Sequence, residues 1–387
     1  MKVFFIANQD LCDRSAHALY SMRNAWWLAH ENPDLQVELW HAPHDDEKTP
    51  LAAIGLPSLP NLNIIPIPNV RKKKGSWGIT VNSVFHMAAY LRLVKNSSPG
   101  DVLAIASFPK IYRVLNKSAY LRKRLKFVYE VHQLAVIDDG ELSSRARHEL
   151  RRISTAQLFL VTTRALGEVL QKHLPKARIE QAPLGCGIDP AGIPPAPTWK
   201  ESGPLRIAYI GSVYREQGVE WLVGEWAKLG KIVEHDLELH IAGGSPSQLE
   251  NLRRLSRKSG GKITLHGQID TGRIGEFLKE IDLLVIPSLA EGRMPFVAIT
   301  KSYDYLALKR PILAANLPSI TEVLRDEQEA LLFHPGSTPK LAEAFHRLAG
   351  STSLREKLIA NTSKRAAEFT WAHRSRIYGE WLKKLEG

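Results

Sequence analysis

Lys301, Asp304 and Tyr305 stand at i, i+3 and i+4, a spacing that places all three on one face of a helix. A carboxylate there can accept both hydroxyls of a ribose, and an ammonium beside it can neutralise a diphosphate. The same spacing also serves an ordinary ion pair on a surface helix, and spacing does not choose between the two. Before them runs Val285-Ile286-Pro287-Ser288-Leu289-Ala290-Glu291-Gly292-Arg293-Met294-Pro295-Phe296, a strand feeding a loop with glycine and proline. After them, residues 311–314 read as a buried strand.

Three weaker signals precede this one. Residues 207–218 read as a strand, a loop bearing Gly211, Ser212, Arg215, Gln217 and Gly218, and then a helix start. A helix start after glycine offers free N–H groups and a positive dipole end to a phosphate, and Arg215 could add a charged fork. Many such turns carry glycine for geometry alone. Gly243, with Gly244, and Gly267 each close a strand; glycine lets a ligand or another backbone approach, and a tight turn explains it equally.

Elements that must position these groups alternate along the whole chain. Strands are predicted at residues 3–7, 37–40, 63–66, 102–106, 127–131 and 158–162, with helices at 16–30 and 141–153. After a proline-rich stretch from 187 to 203, strands are predicted at 206–210, 237–242, 263–265, 283–287, 311–314 and 330–333. Helices are predicted between them at 219–229, 247–258, 272–280, 297–308, 320–325 and 339–348. Short apolar strands separated by helices imply parallel sheets covered on both faces. At 387 residues the chain is long enough for two such domains. The expected division is 1–192 and 200–371, with a last amphipathic helix at 372–387 that sets Ile377, Trp381 and Leu385 on one side. Tandem doubly wound domains place their ligand in the cleft between them.

Two cysteines, Cys12 and Cys186, exclude a disulfide scaffold and a Cys-rich zinc site and fit a reducing cytosol. The apolar start is too short for a signal peptide, and no run long enough to span a bilayer follows. The net charge is +12, and residues 1–195 carry +8 of it. Two basic clusters stand out: Arg71, Lys72, Lys73 and Lys74, and the stretch from Lys110 to Lys126 with its interleaved apolar residues. They fit contact with an anionic membrane surface, and they equally fit a solvated surface helix and loop. No zinc-finger or RNP-type signature accompanies them, which argues against nucleic acid.

Taken in order, these segments resemble the retaining GT-B glycosyltransferases of group 1 (the family 4 class). The stretch 210–218 is similar to that family's glycine–arginine … lysine–glycine segment. Pro287-Ser288 with Glu291-Gly292 resembles its proline–serine … glutamate–glycine stretch. Lys301–Ala307 with Pro311 looks like its lysine–x–x–acid–tyrosine–x–alanine variant. Phe369-Thr370-Trp371 resembles the segment before the helix that crosses back to the first domain, and Tyr129-Glu130-Val131-His132 resembles the strand-end histidine. The pattern departs from the family at Ser212 and Gln217, which stand where basic residues are usual. It departs again at Phe296 and Asp304, where a pair of glutamates is usual.

The resemblance implies an α/β GT-B fold of two Rossmann-like doubly wound domains with an interdomain cleft. It implies transfer of a hexose-type sugar from a UDP- or GDP-sugar, with retention and without a metal or other cofactor, and membrane contact by the basic clusters would favour a lipid-linked or envelope glycan as acceptor. Asp304 would hold the donor ribose, and Arg215 and Lys301 the diphosphate. Glu291 and the backbone N–H groups of the loop through Met294, Pro295 and Phe296 would meet sugar and phosphate. Gly211, Ser212, Gln217, Gly218, Gly243 and Gly267 would line the donor. His132 would reach the transferred sugar from the other domain. A cytoplasmic protein, peripheral on the inner face of the membrane, would follow. Two other classes stay open: a non-catalytic nucleotide-sugar-binding protein of the same fold, and an NAD- or phosphate-using enzyme. The second lacks any G-x-G-x-x-G opening a helix.

Overall fold

A computed structural model describes residues 1–7, 10–13, 16–43, 50–68, 82–106, 108–134, 141–199 and 203–385. The basic cluster at 71–74 lies outside them.

The chain forms two α/β units. The first comprises Met1–Thr162, Leu166–Pro183 and Trp371–Gly387; the second comprises Thr163–Ala165 and Leu184–Thr370. Each is built on one parallel sheet, as runs of β-branched and aromatic residues flanked by helices dictate. The first sheet contains β1 (Lys2–Ala7), β2 (Gln36–His41), β3 (Leu62–Pro66), β4 (Asp101–Ala106), β5 (Leu125–Val131), β6 (Leu158–Val161) and β7 (Ile179–Gln181), in the order β3-β2-β1-β4-β5-β6-β7. The second contains β8 (Leu205–Ile210), β9 (Leu237–Ala242), β10 (Lys262–Gly267), β11 (Leu283–Ile286), β12 (Ile312–Ala315) and β13 (Leu331–Phe333), in the order β10-β9-β8-β11-β12-β13. Both orders are doubly wound, reversing between β1 and β4 and between β8 and β11.

In the first unit, Val3, Phe5, Val37, Leu39, Val102 and Val128 are fully or nearly fully buried in one core cluster with Met22 and Ala25 of the helix Ala16–Glu31. Tyr378 and Leu382 of the last helix, Trp371–Lys383, enter the same core. Each such side chain contributes about 2 kcal/mol by leaving water, which ties that helix to the first unit. Its buried side is Trp371, Arg374, Ser375, Tyr378 and Leu382. Ile377 and Trp381, expected to lead it, are only half-buried. Their companion Leu385 is buried.

The break between units falls at Pro183–Leu184, ahead of the proline run. That run is held by the second unit: Arg310 donates to Pro194 O at 3.0 Å and Lys309 to Ile193 O at 2.8 Å. The basic stretch 110–126 is not one surface helix. It forms two short helices, Pro109–Asn116 and Ala119–Arg124, and then enters β5, because Ile111, Tyr112, Leu115 and Leu121 are buried. The helix expected over 297–308 is Thr300–Leu306. Turns occupy the residues before it, where Ser319 donates from its N–H to Pro295 O and from its hydroxyl to Met294 O at 3.1 and 2.7 Å.

Candidate functional site

In a doubly wound sheet, ligands bind outside the carboxyl ends of the strands where their order reverses. In the second unit that point is the end of β8 beside the end of β11. Gly218 brings the two together. Its φ is +73°, and a Cβ built there would lie 1.7 Å from Pro287 O, so only glycine lets the helix Val219–Val233 start against β11. Leu289 N–H donates to Glu216 O at 3.0 Å and locks the same approach. Gly243 N–H donates to Gly267 O, joining the ends of β9 and β10.

Lys301 lies within this ring and is 5% exposed. Its ammonium donates to Gln217 Oε1 at 2.8 Å and sits 5.1 Å from the Tyr209 ring centroid, an arrangement a cation favours. A Cβ on Gly211 would stand 2.8 Å from Lys301 Cε, so the glycine makes room for the lysine. Burial pushes the ammonium down to about 8, against the opposing pull of Asp304.

Asp304 and Tyr305 have different partners. Asp304 Oδ1 accepts the Gly187 N–H at 2.8 Å, and the Tyr305 hydroxyl accepts the Ile210 N–H at 2.7 Å. The three residues thus join one helix to the end of β8 and to the connection entering the unit. Ser212 is exposed, and its carbonyl accepts the Tyr209 hydroxyl at 2.5 Å.

Arg215 and Glu291 form an ion pair, Nε to Oε2 at 3.4 Å, with side chains 78% and 45% exposed. The loop from Glu291 to Phe296 corrects one expectation. Met294 N–H bonds Glu291 O at 3.2 Å, Phe296 N–H bonds Arg293 O at 3.0 Å, and Pro295 has no N–H. These amides hold the loop's own turns instead of facing outward. Phe296 O also accepts the Thr163 hydroxyl at 2.5 Å.

His132 closes β5 in the first unit. Its Nε2 lies 3.4 Å from Glu130 Oε2, and the Tyr20 ring meets it edge-on at 4.3 Å between centroids. Glu130 is buried, as is Arg374, whose guanidinium reaches Glu130 at 3.1 Å. Tyr20, Tyr378 (2.8 Å) and Asn24 (3.3 Å) also donate to the carboxylate. Burial alone would raise the Glu130 carboxyl; the His132 hydrogen bond and the Arg374 charge outweigh it and lower it to about 2. This network was not read from the sequence. Its signals were Glu130 and His132 at i and i+2 on one strand face, and a lone arginine on the apolar side of the last helix.

Among the described residues no group of three or more His, Cys, Asp and Glu side chains is placed to hold a metal ion, and no helix is long and apolar enough to cross a membrane.

Two Rossmann-like units with parallel sheets in this order define the GT-B class of fold. Residues 204–351 match the family model described as "Glycosyl transferases group 1". The alpha-D-kanosaminyltransferase of Streptomyces kanamyceticus is 24% identical over 230 residues, 56% of this chain and 56% of that protein, so the chain spans about half of that relative's length. Sucrose-phosphate synthase from Thermosynechococcus elongatus superposes with a TM-score of 0.75 at 16% identity, over 99% of this chain and 98% of its own. Anabaena Alr3699/HepE, solved in complex with UDP-glucose, superposes with a TM-score of 0.72 at 13% identity, over 99% and 100% of the two chains.

Proposed function

We propose that the protein is a glycosyltransferase that moves a hexose-type sugar from a UDP- or GDP-sugar to a lipid-linked or envelope glycan acceptor, with retention of configuration. The observation that carries this reading is Lys301: a buried ammonium at the strand-order reversal of the second unit, bonded to a neutral amide and lodged over a glycine. The family match over residues 204–351 supports it.

In transfer, the bond between the sugar and the diphosphate breaks, a bond to the acceptor oxygen forms, and the acceptor proton is released. The diphosphate leaves with negative charge, and a fixed cation in a low-dielectric site stabilises that charge best. We assign Lys301 and Arg215 to the diphosphate, Asp304 to the ribose, and Glu291 and His132 to the transferred sugar. Chain groups supply all of this charge, so the reading needs neither a metal nor a cofactor. The protein would work in the cytoplasm, where nucleotide-sugars are the donors.

A second reading is a nucleotide-sugar-binding protein with weakened turnover. It is favoured by Gln217, which occupies the Lys301 ammonium, and by Arg215, which is exposed and paired with Glu291. A panel of UDP- and GDP-sugars assayed for hydrolysis separates the two. Release of one nucleoside diphosphate supports the transferase. Donor binding without release from any member of the panel would leave the second reading standing.

A further inference from the structure

β10 carries one residue too many for its partner. Leu265 pairs with Ile241 of β9 and Gly267 with Ala242, so His266 stands between two paired residues as a bulge. A bulge re-aims a side chain, and bulges gather beside functional sites. Here it sets the exposed His266 against His240 of β9. The two rings are 20° from parallel with centroids 5.3 Å apart, and His266 Nε2 lies 3.0 Å from His240 Nδ1. Phe277 of the helix Ile274–Leu278 meets the His266 ring edge-on at 5.0 Å.

Charges around the pair fix where its protons sit. His240 Nε2 is buried, and Glu238 Oε2 lies 3.9 Å from it. Arg206 holds Glu238 at 3.1 Å and Glu280 at 2.7 Å, and Lys262 is 3.9 Å from the other Glu238 oxygen. A carboxylate on that side keeps the His240 proton on Nε2 and leaves the lone pair on Nδ1. His266 Nε2–H therefore donates to His240 Nδ1. Burial pushes both imidazoles down, for His240 with help from the His266 charge and against Glu238. The pair is thus neutral at pH 7, with its hydrogen bond intact.

From the bulge, backbone contacts alone lead to Lys301. Gly267 follows His266, has a φ of +70°, and its carbonyl accepts the Gly243 N–H. Gly243, at φ +125°, lies so close to Gly211 that a Cβ on it would stand 2.0 Å from Gly211 O. Gly211 donates its own N–H to Ala242 O at 2.8 Å and makes room for Lys301. These three glycines have no side chains to absorb a shift, so a change at the bulge is passed along them. β10 is an edge strand with β9 as its one neighbour, which leaves the bulge dependent on the bond to His240.

We propose that His266 and His240 are positioning residues for the nucleotide-sugar donor. Their hydrogen bond holds the bulge, and the bulge holds Gly267, Gly243 and Gly211 in the shape that seats the donor beside Lys301. The proposal rests on the reading of this site as a donor site. A bond that only pinned an edge strand would stabilise the fold and leave donor binding unchanged.

The test is titration of the full chain with UDP and GDP and hydrolysis of the matching sugars, at pH 7, with thermal melts alongside. His266→Leu keeps the bulk of the side chain and loses its N–H. It should raise the nucleotide Kd and the donor KM about tenfold, the value of one hydrogen bond. kcat should hold within about twofold, because a contact two strands out from the end of β8 serves ground state and transition state alike. Tm should move little, since the side chain is exposed. His266→Gln carries an amide N–H at similar reach and should restore the affinity of the unsubstituted chain. His240→Leu, and the double variant with His266→Leu, should match the single His266→Leu, since all three lack the same bond. An unchanged Kd and KM in His266→Leu overturns the proposal, whether or not Tm falls. So does an equal loss in His266→Gln, or a double variant whose losses multiply. Binding of neither nucleotide by the unsubstituted chain overturns the donor-site reading itself, and this proposal with it.

Discussion

The ammonium of Lys301 donates to the side-chain amide of Gln217 at 2.8 Å, beside the carboxyl ends of β8 and β11. Asp304 acts on it only as a charge, and burial prevails, lowering it to about 8. A buried cation held by a neutral partner is strained toward losing its proton, and a bound diphosphate would reverse that tendency.

A pH dependence follows. Nucleoside-diphosphate affinity should be flat to pH 7 and fall as Lys301 deprotonates above about 8. Unfolded lysine titrates near 10.4, so the unfolded chain binds more protons between about 8 and that value. Stability therefore rises with pH across this window and is lowest below it. Lys301→Met should leave Tm unchanged or raised at pH 7 while nucleotide binding weakens by roughly 10- to 100-fold, the value of a charged hydrogen bond. Calorimetry and thermal melts side by side check the split, and a fall in both would contradict it.

Gly218→Ala should destabilise by about 2 kcal/mol or more. Its Cβ would meet the backbone oxygen of Pro287 at 1.7 Å, and a strand end cannot yield as a flexible side chain can. Gly211→Ala meets the Lys301 side chain, at 2.8 Å, and its φ of +146° strains any side chain, so it should reduce nucleotide affinity as well as Tm. Melts and titrations of both variants distinguish the two glycines.

Glu130→Gln leaves Arg374 buried without its counter-charge and should cost about 3–5 kcal/mol. Because Glu130 is lowered to about 2, the stability it contributes is present above the ordinary glutamate range and is lost as pH falls from about 4.3 toward 2. Acid-unfolding curves should show that the variant lacks this loss. Adding Arg374→Met to Glu130→Gln should cost less than the two single changes added together.

Arg215→Ala breaks an ion pair between two exposed side chains, so stability should change by less than about 0.5 kcal/mol. Donor hydrolysis should still fall at least about tenfold. Turnover equal to that of the unsubstituted chain would remove Arg215 from the phosphate site.

The sheets were legible because their strands are short apolar runs, from Lys2–Ala7 through Leu283–Ile286. β7 was not, since Ile179, Glu180 and Gln181 are half-buried at an edge and carry no such run. The helix Thr352–Ala366 buries only Arg355, Leu358 and Thr362 and leaves little apolar period to find. At the site, the shared face of Lys301, Asp304 and Tyr305 could be read from spacing. Their partners could not, because Gln217, Gly187 and Ile210 lie 84, 117 and 95 residues away. The loop through Met294 and Phe296 misled for a local reason. The resemblance implied free amides there, and Met294 and Phe296 use theirs in its turns.

The most direct measurement is calorimetric titration of the chain with UDP, GDP and NAD, repeated on Lys301→Met and Asp304→Ala. Micromolar binding of one nucleoside diphosphate, weakened at least about tenfold in both variants and absent for NAD, is the predicted result. Binding of none of the three, or binding that both variants retain in full, would contradict the assignment of this site to a nucleotide-sugar donor.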